Sequence, residues 1–436
     1  MQLLKLGLLA ILPLTSAISI LDHGAIPSSS DLTSALANSQ AIVDAFTAAN
    51  SSATDRVVEV PAGAAFFLMT STISDVHDVT FQIDGALYLH NTLEDWPDEA
   101  NLYGFHIVDV TGFTLTGSGS MDGQGYNWWV ATAKGRSHAH RPNLFEYLRA
   151  EDCLIENITV RNSPRFNFHM KDMLNLEIRY VDIETDVTAQ RAILEDHKLW
   201  DLDLSIPMFP FNTDGFDPAG ENIWIHDCSI ENYDDAVAVK PSGSKDLRQC
   251  TKNVLVENMK IKYGVGMSVG SVSPKHSECV DDVTFRNIDF KDPFKAIYIK
   301  TNPLDDDCET DDCVATISNV LYEDITIDSP VWFAVYIGPQ QMKEPDGAGD
   351  GCMTYPFGDC PTEPAVTISN ITLKHIAISG GVTPGIVRCD KANPCHGFEF
   401  KDVKYSSWAT RAEGWTCEHV HGTEKGTQPE GCIKVE

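Results

Sequence analysis

The sequence is short of positive charge: its 436 residues include 32 lysines and arginines against 63 aspartates and glutamates, a formal net charge of −31. Nucleic acids and anionic membranes select basic surfaces, so neither is expected as a partner. The same field disfavours a dense polyanion as substrate unless a local patch of cations overrides it within a Debye length. Beyond the first residues no stretch approaches the roughly 20 apolar residues of a membrane helix. Amphipathic segments of about 10 to 15 residues between the β-branched runs are also missing, which speaks against a βαβ sheet with crossover helices. No Gly-x-Ser-x-Gly elbow is present, which weakens an esterase reading. No linker rich in proline, glycine or serine divides the middle of the chain, so one domain is expected over residues 18–436, closed by a cysteine-rich region.

The first 17 residues, MQLLKLGLLAILPLTSA, pair a lysine with a short apolar run and small residues, and residues 1–17 are expected to be a cleavable secretory signal. The mature chain is therefore expected to be soluble and extracellular. All twelve cysteines follow the signal, and in an exported chain an even count favours disulfides over metal ligation. The close pairs Cys308/Cys313, Cys352/Cys360, Cys389/Cys395 and Cys417/Cys432 suggest loop staples. Acceptor sequons at Asn50, Asn157 and Asn370 are expected glycosylation sites of a secreted glycoprotein.

From about residue 79 onward the chain is built from short alternating β-branched runs. Several share the form apolar-x-apolar-x-(Asn/Asp)-x-x-apolar, as in LIENITV, VLVENMKI, VTFRNIDF, VLYEDITI and VTISNITL, at irregular spacings of about 20 to 45 residues. Weak repetition without helices predicts stacked coils: an all-β, single-stranded right-handed parallel β-helix. An immunoglobulin-like sandwich would show turns at tighter, regular intervals of about 8 to 12 residues. The persuasive helix, Ser39 to Asn50, carries an apolar stripe of Ala41, Ile42, Ala45 and Phe46, and is expected to cap the N-terminal end of the stack.

The strongest chemical signal is FNTDGFD, residues 211 to 217, followed by NYDDAVAVK, residues 232 to 240. Twenty positions separate Asp214 from Asp234, about one coil, which predicts carboxylates stacked near the strand spacing of about 4.8 Å. Crowded carboxylates cannot all ionise freely, so one becomes a proton donor while another stays a base, the division acetal hydrolysis needs. Consecutive strand residues point to opposite faces, so Asp234 and Asp235 can share a cleft only where the strand bends or bulges. The plain alternative is a set of solvated aspartates on an acidic protein.

Asn212-Thr213-Asp214 and Asp234-Asp235, together with GSGSMDGQG at 117 to 125 and Trp128-Trp129, resemble the polygalacturonase family of pectin-degrading glycoside hydrolases. The resemblance runs from LDHGA at 21 to 25 and VPAG at 60 to 63 to the cysteine-bounded tail. It implies a parallel β-helix of inverting hydrolases in which Asp234 protonates the glycosidic oxygen, Asp214 and Asp235 hold and activate the attacking water, and Asn212 orients the cleft. Inversion calls for about 6.5 to 9.5 Å between acid and base. Neither a metal nor another cofactor is implied; the expected partner is a pectic polysaccharide and the expected state a monomer.

Two departures qualify the resemblance. Where the family has Gly-His-Gly this chain has Gly264-Val265-Gly266, and where it has Arg-Ile-Lys this chain has Tyr298-Ile299-Lys300. The family arginine and lysine grip a galacturonate carboxylate; Lys300 remains, and Tyr298 suits a sugar face. Rhamnogalacturonan or a substituted galacturonan is thereby favoured over plain polygalacturonate. A non-catalytic wall-polysaccharide binder is the alternative, against which stands the retention of all three aspartates.

Other features carry less. DDDCETDD, residues 305 to 312, lacks the glycine and distal glutamate of an EF-hand and is expected to be a solvated loop. His169, His197 and His276 lack metal-ligand spacing. Trp128, Trp129 and Trp332 are core staples or sugar platforms, and sequence does not choose between these.

Overall fold

The computed structural model describes residues 17–98, 102–133, 140–186, 210–304, 308, 313–341, 360–407 and 414–433. Strands follow one another in parallel from Ile18–Ser19 to Val420–Lys425, each paired with the equivalent strand one coil on. This is the expected right-handed parallel β-helix. Its coils begin earlier than the repeat suggested, at Val57–Val60, and among the described residues the helices of more than one turn are Leu32–Ser51 and Tyr126–Ala133. The first starts seven residues before the predicted Ser39, because Asp31 caps it by accepting from the Ser34 N–H at 2.9 Å. Ala41, Ile42, Ala45 and Phe46 are buried on the stack as predicted, and Phe46 stacks on Phe113 at 5.8 Å.

The repeated Asn/Asp positions are corners of the coils on two columns of the stack, Asn157, Asn258, Asn287 and Asp324 on one and Asn370 on the other. Asn157, Asn258, Asn287, Asp324 and Asn370, one from each quoted run, all lie at φ between 54° and 56°. That left-handed backbone excludes most side chains but suits asparagine and aspartate. On the Asn370 column, corner amides also bond from coil to coil: Asn175 to Asp152 at 2.8 Å, Asn222 to Asn175 at 2.9 Å and Asn253 to Asn222 at 2.7 Å. Two sequons, Asn157-Ile-Thr and Asn370-Ile-Thr, coincide with this corner pattern and are exposed. The third, Asn50, is half-buried, donating to the Asp75 carbonyl and accepting from the His77 N–H.

Between corners, inward residues fill one apolar core that runs from Ile20 to Ile433. A column of rings, Phe105, Phe145, Phe168 and Phe216, stacks through it at 5.3, 4.8 and 5.2 Å. Trp128 and Trp129 are 4 % and 1 % exposed, so they are core staples and not sugar platforms. The pairs Cys308–Cys313, Cys389–Cys395 and Cys417–Cys432 are disulfides as expected. Cys360 is disulfide-bonded, while Cys352 lies outside the described residues. Cys250–Cys279, a rung between adjacent coils, was not legible from spacing. Residues 1–16, His197 and most of DDDCETDD also lie outside the described residues.

Candidate active site

Phe105, Phe145, Phe168 and Phe216 point inward, so their successors His106, Glu146, His169 and Asp217 form a row on the opposite, cleft-side face. The row continues through Ala238 to Ser268, Tyr298, Tyr336 and Ile386. The aspartates gather where these two halves meet.

Asp214 precedes the strand Phe216–His226, and Asp235 opens the next coil's strand Asp235–Val239. The Gly215 N–H donates to the Asp235 carbonyl at 2.9 Å, locking the two coils in register. Buried Asn232 donates to the carbonyls of Thr213 at 3.0 Å and Asp235 at 2.8 Å, and the pairing shifts register between Asp235 and Val237. The expected bend lies just before this, at Tyr233 and Asp234, so that Asp234 is outside the strand that Asp235 opens. One carboxylate oxygen from each of Asp214, Asp234 and Asp235 lies within 4.8 Å of the other two.

Their environments differ. Asp214 is 3 % exposed, its Oδ1 lacks a hydrogen-bond partner, and burial, reinforced by Asp217 and Asp234, pushes its pKa well above the ordinary carboxylate value. Asp235 is ion-paired to Lys300 Nζ at 2.6 Å and accepts from the Ser268 hydroxyl. Asp234, half-buried, accepts from its neighbour's N–H at 3.0 Å and from the Asn212 N–H at 2.8 Å. Lys240 brackets the other side, 2.5 Å from Asp217 and 3.9 Å from Asp214. Burial would lower both lysines, but the aspartates outweigh it and both are raised. Three carboxylates this close are also a geometric cation site; here the Lys300 ammonium already neutralises one of them. The spacing is shorter than the gap expected for inversion, because the carboxylates sit on adjacent coils and adjacent residues.

The other expected site residues are placed less simply. Asn212 turns its side chain to Arg141, with Nη2 donating to Oδ1 at 2.5 Å, and reaches Asp234 through its backbone. Val265 is 8 % exposed, held by its N–H to the Asp234 carbonyl at 2.9 Å. Glycine is required on both sides of it: a Cβ at Gly264 would lie 2.5 Å from Asn232 Oδ1, and one at Gly266 2.1 Å from the Ala296 carbonyl. Val265 packs in an aromatic cluster with Tyr298, Phe333, Tyr336 and half-buried Trp332. Tyr298 is only 2 % exposed, which corrects the expectation of an open sugar face: Tyr336, 5.4 Å away, and the ammonium of Lys295, 3.6 Å from the ring centroid, cover it. Trp332 is the ring of this cluster with accessible surface. Arg141, Lys240 and Lys295 went unassigned in sequence; only Lys240 had a signal, as the last residue of DDAVAVK.

The fold resembles that of endo-xylogalacturonan hydrolase from Aspergillus tubingensis, with a TM-score of 0.68 at 18 % identity over 97 % of this chain and 99 % of that one. In sequence the chain is 27 % identical over 278 residues to a probable endo-xylogalacturonan hydrolase A of Aspergillus oryzae, covering 62 % of this chain and 61 % of that protein. It is 25 % identical over 374 residues to a probable rhamnogalacturonase B of Aspergillus fumigatus, covering 84 % and 59 %. The chain thus spans about three fifths of these curated relatives, 61 % and 59 % of their lengths. The family model described as glycosyl hydrolases family 28 matches residues 51–428, and the chain belongs to that family.

Proposed function

We propose that this protein hydrolyses glycosidic bonds of a pectic polysaccharide, with Asp214, Asp234 and Asp235 as its catalytic residues. The observation that carries the reading is the convergence of the three carboxylate oxygens within 4.8 Å in environments that differ. Asp235, ion-paired to Lys300, takes the proton of the attacking water. Asp234, half-buried, delivers a proton to the departing oxygen. Asp214, whose proton burial favours, completes the water site; after product leaves, Asp235 releases its proton to solvent and Asp234 regains one from it. Neighbours this close titrate as a set, so the pH profile belongs to the trio. Inversion follows from the family resemblance; the short carboxylate spacing makes proton NMR of the first-formed anomer the direct test.

Relatives named for xylogalacturonan and rhamnogalacturonan, with the buried Tyr298 where the family carries an arginine contact and half-buried Trp332 beside it, support a substituted galacturonan or rhamnogalacturonan as substrate. Secretion fits the expected signal at residues 1–17, and the disulfides among the described residues fit the same setting. Among the described residues no helix is long and apolar enough to cross a membrane. The test is product analysis on polygalacturonate, xylogalacturonan and rhamnogalacturonan oligosaccharides, wild type against Asp234→Asn. The variant is expected to lose about 100-fold or more in kcat. If both proteins bind the panel and neither cleaves it, the chain is a polysaccharide binder and the hydrolase reading fails.

A further inference from the structure

We propose that Arg141 is a positioning residue for this reaction, acting on the Asp234 carboxylate through the Phe211–Asn212 peptide; the proposal rests on the hydrolase reading above. Arg141 is 2 % exposed and lies 93 residues before Asp234 in sequence. Its Nη1 donates to the carbonyls of Pro164 at 3.1 Å and Phe211 at 2.8 Å, and its Nη2 to Asn212 Oδ1 at 2.5 Å. The N–H of Asn212 then donates to Asp234 Oδ2 at 2.8 Å.

The Phe211 carbonyl and the Asn212 N–H belong to one peptide unit, and in a trans peptide they point in opposite directions. The guanidinium, the peptide and the carboxylate therefore form one line of hydrogen bonds, in which a cation at the carbonyl end polarises the N–H at the other. The turn needs holding, because Asn212 sits at φ 60°, in the left-handed region. A guanidinium grips both the peptide oxygen and the asparagine amide with one rigid fork, which an ammonium cannot do. Crowding by Asp214 and Asp235 opposes ionisation of Asp234; a polarised donor on Oδ2 opposes that crowding and fixes the direction in which Asp234 holds its proton.

Arg141→Met and Arg141→Lys are compared with wild type in kcat and KM across pH on the oligosaccharide the wild type cleaves. Carbon-13 titration of labelled aspartate carboxyls is run on the same proteins without substrate. In Arg141→Met, kcat is expected to fall about tenfold, about 1.4 kcal/mol of barrier, with KM little changed. Its basic limb should move to higher pH, since losing a donor to the charged form disfavours that form. One aspartate carboxyl should titrate at correspondingly higher pH. Arg141→Lys, which retains a cation and keeps the test open if the methionine variant does not fold, should recover part of both. An unmoved pH profile and carboxyl titration in the folded variants, or activity that falls only with the folded fraction, would make Arg141 a structural pin and overturn the proposal. A wild type inert on the whole panel would reject the hydrolase reading instead, and the carboxyl titration would still decide the role of Arg141.

Discussion

The cleft-side row has two halves of opposite chemistry on one scaffold. On the N-terminal side stand His106, Glu146, His169 and Asp217, with His169 bonded to Glu146 at 2.6 Å and Lys171 3.9 Å from it. On the C-terminal side stand Ser268, Tyr298, Tyr336 and Ile386, walled by Trp332 and Phe333. The parallel pairing runs through both halves, but in the aromatic half it is interrupted by register shifts between Asp235 and Val237, Val269 and Val272, and Ile299 and Thr301. The row is thus polar on one side of the carboxylates and aromatic and buried on the other.

Lys300 stands at the seam, its ammonium 2.6 Å from Asp235 and 4.8 Å from the Tyr298 ring centroid. Lys300→Met leaves a buried carboxylate unpaired and should have the largest effect: a loss of about 3 to 5 kcal/mol in urea unfolding. A fall of about 100-fold in kcat should accompany it. Wild-type stability in this variant would mean that the halves are not coupled through the lysine.

Val265→His introduces a titratable ring into the aromatic half. Placing an imidazole among Tyr298, Phe333 and Tyr336 should cost about 1 to 3 kcal/mol. Turnover on the oligosaccharide the wild type cleaves should fall without a gain on plain polygalacturonate. A gain there would show that the aromatic half is a lost binding site and not a changed one.

The smallest effect is expected from Asp214→Asn on stability. Burial and the neighbouring Asp217, Asp234 and Asp235 raise the Asp214 pKa above 3.8, so the fold favours the neutral form. Its contribution is complete below the ordinary carboxylate value and is lost as pH rises through the raised one. Asparagine is neutral throughout, so this variant should melt above wild type at pH 7 and level with it at pH 3 in calorimetric scans. A lower melting temperature at both would remove the electrostatic contrast at the seam.

What could be read in the sequence was what is local. The corner asparagines announced the coils because a left-handed residue recurs at a fixed offset within each β-branched run, and the spacing of Asp214 from Asp234 carried the site because one coil brought them together. The burial of Tyr298 could not be read, since it depends on Tyr336 one coil away and Lys295 beside it. Arg141 was equally hidden: its partners Pro164 and Phe211 are 23 and 70 residues distant, and they bond through backbone oxygens that any sequence possesses.

The corner ladder has a consequence for how such a molecule can change. Successive rungs are 23 residues apart between Asn175 and Asp152 but 51 between Asn370 and Asn319, yet the amides still meet, the second pair at 3.0 Å. Residues can therefore be inserted between rungs without altering where the chain rejoins the stack. The length between rungs is uncoupled from the ladder itself, so one coil can lengthen while its neighbours, and the carboxylates they carry, stay where they stand.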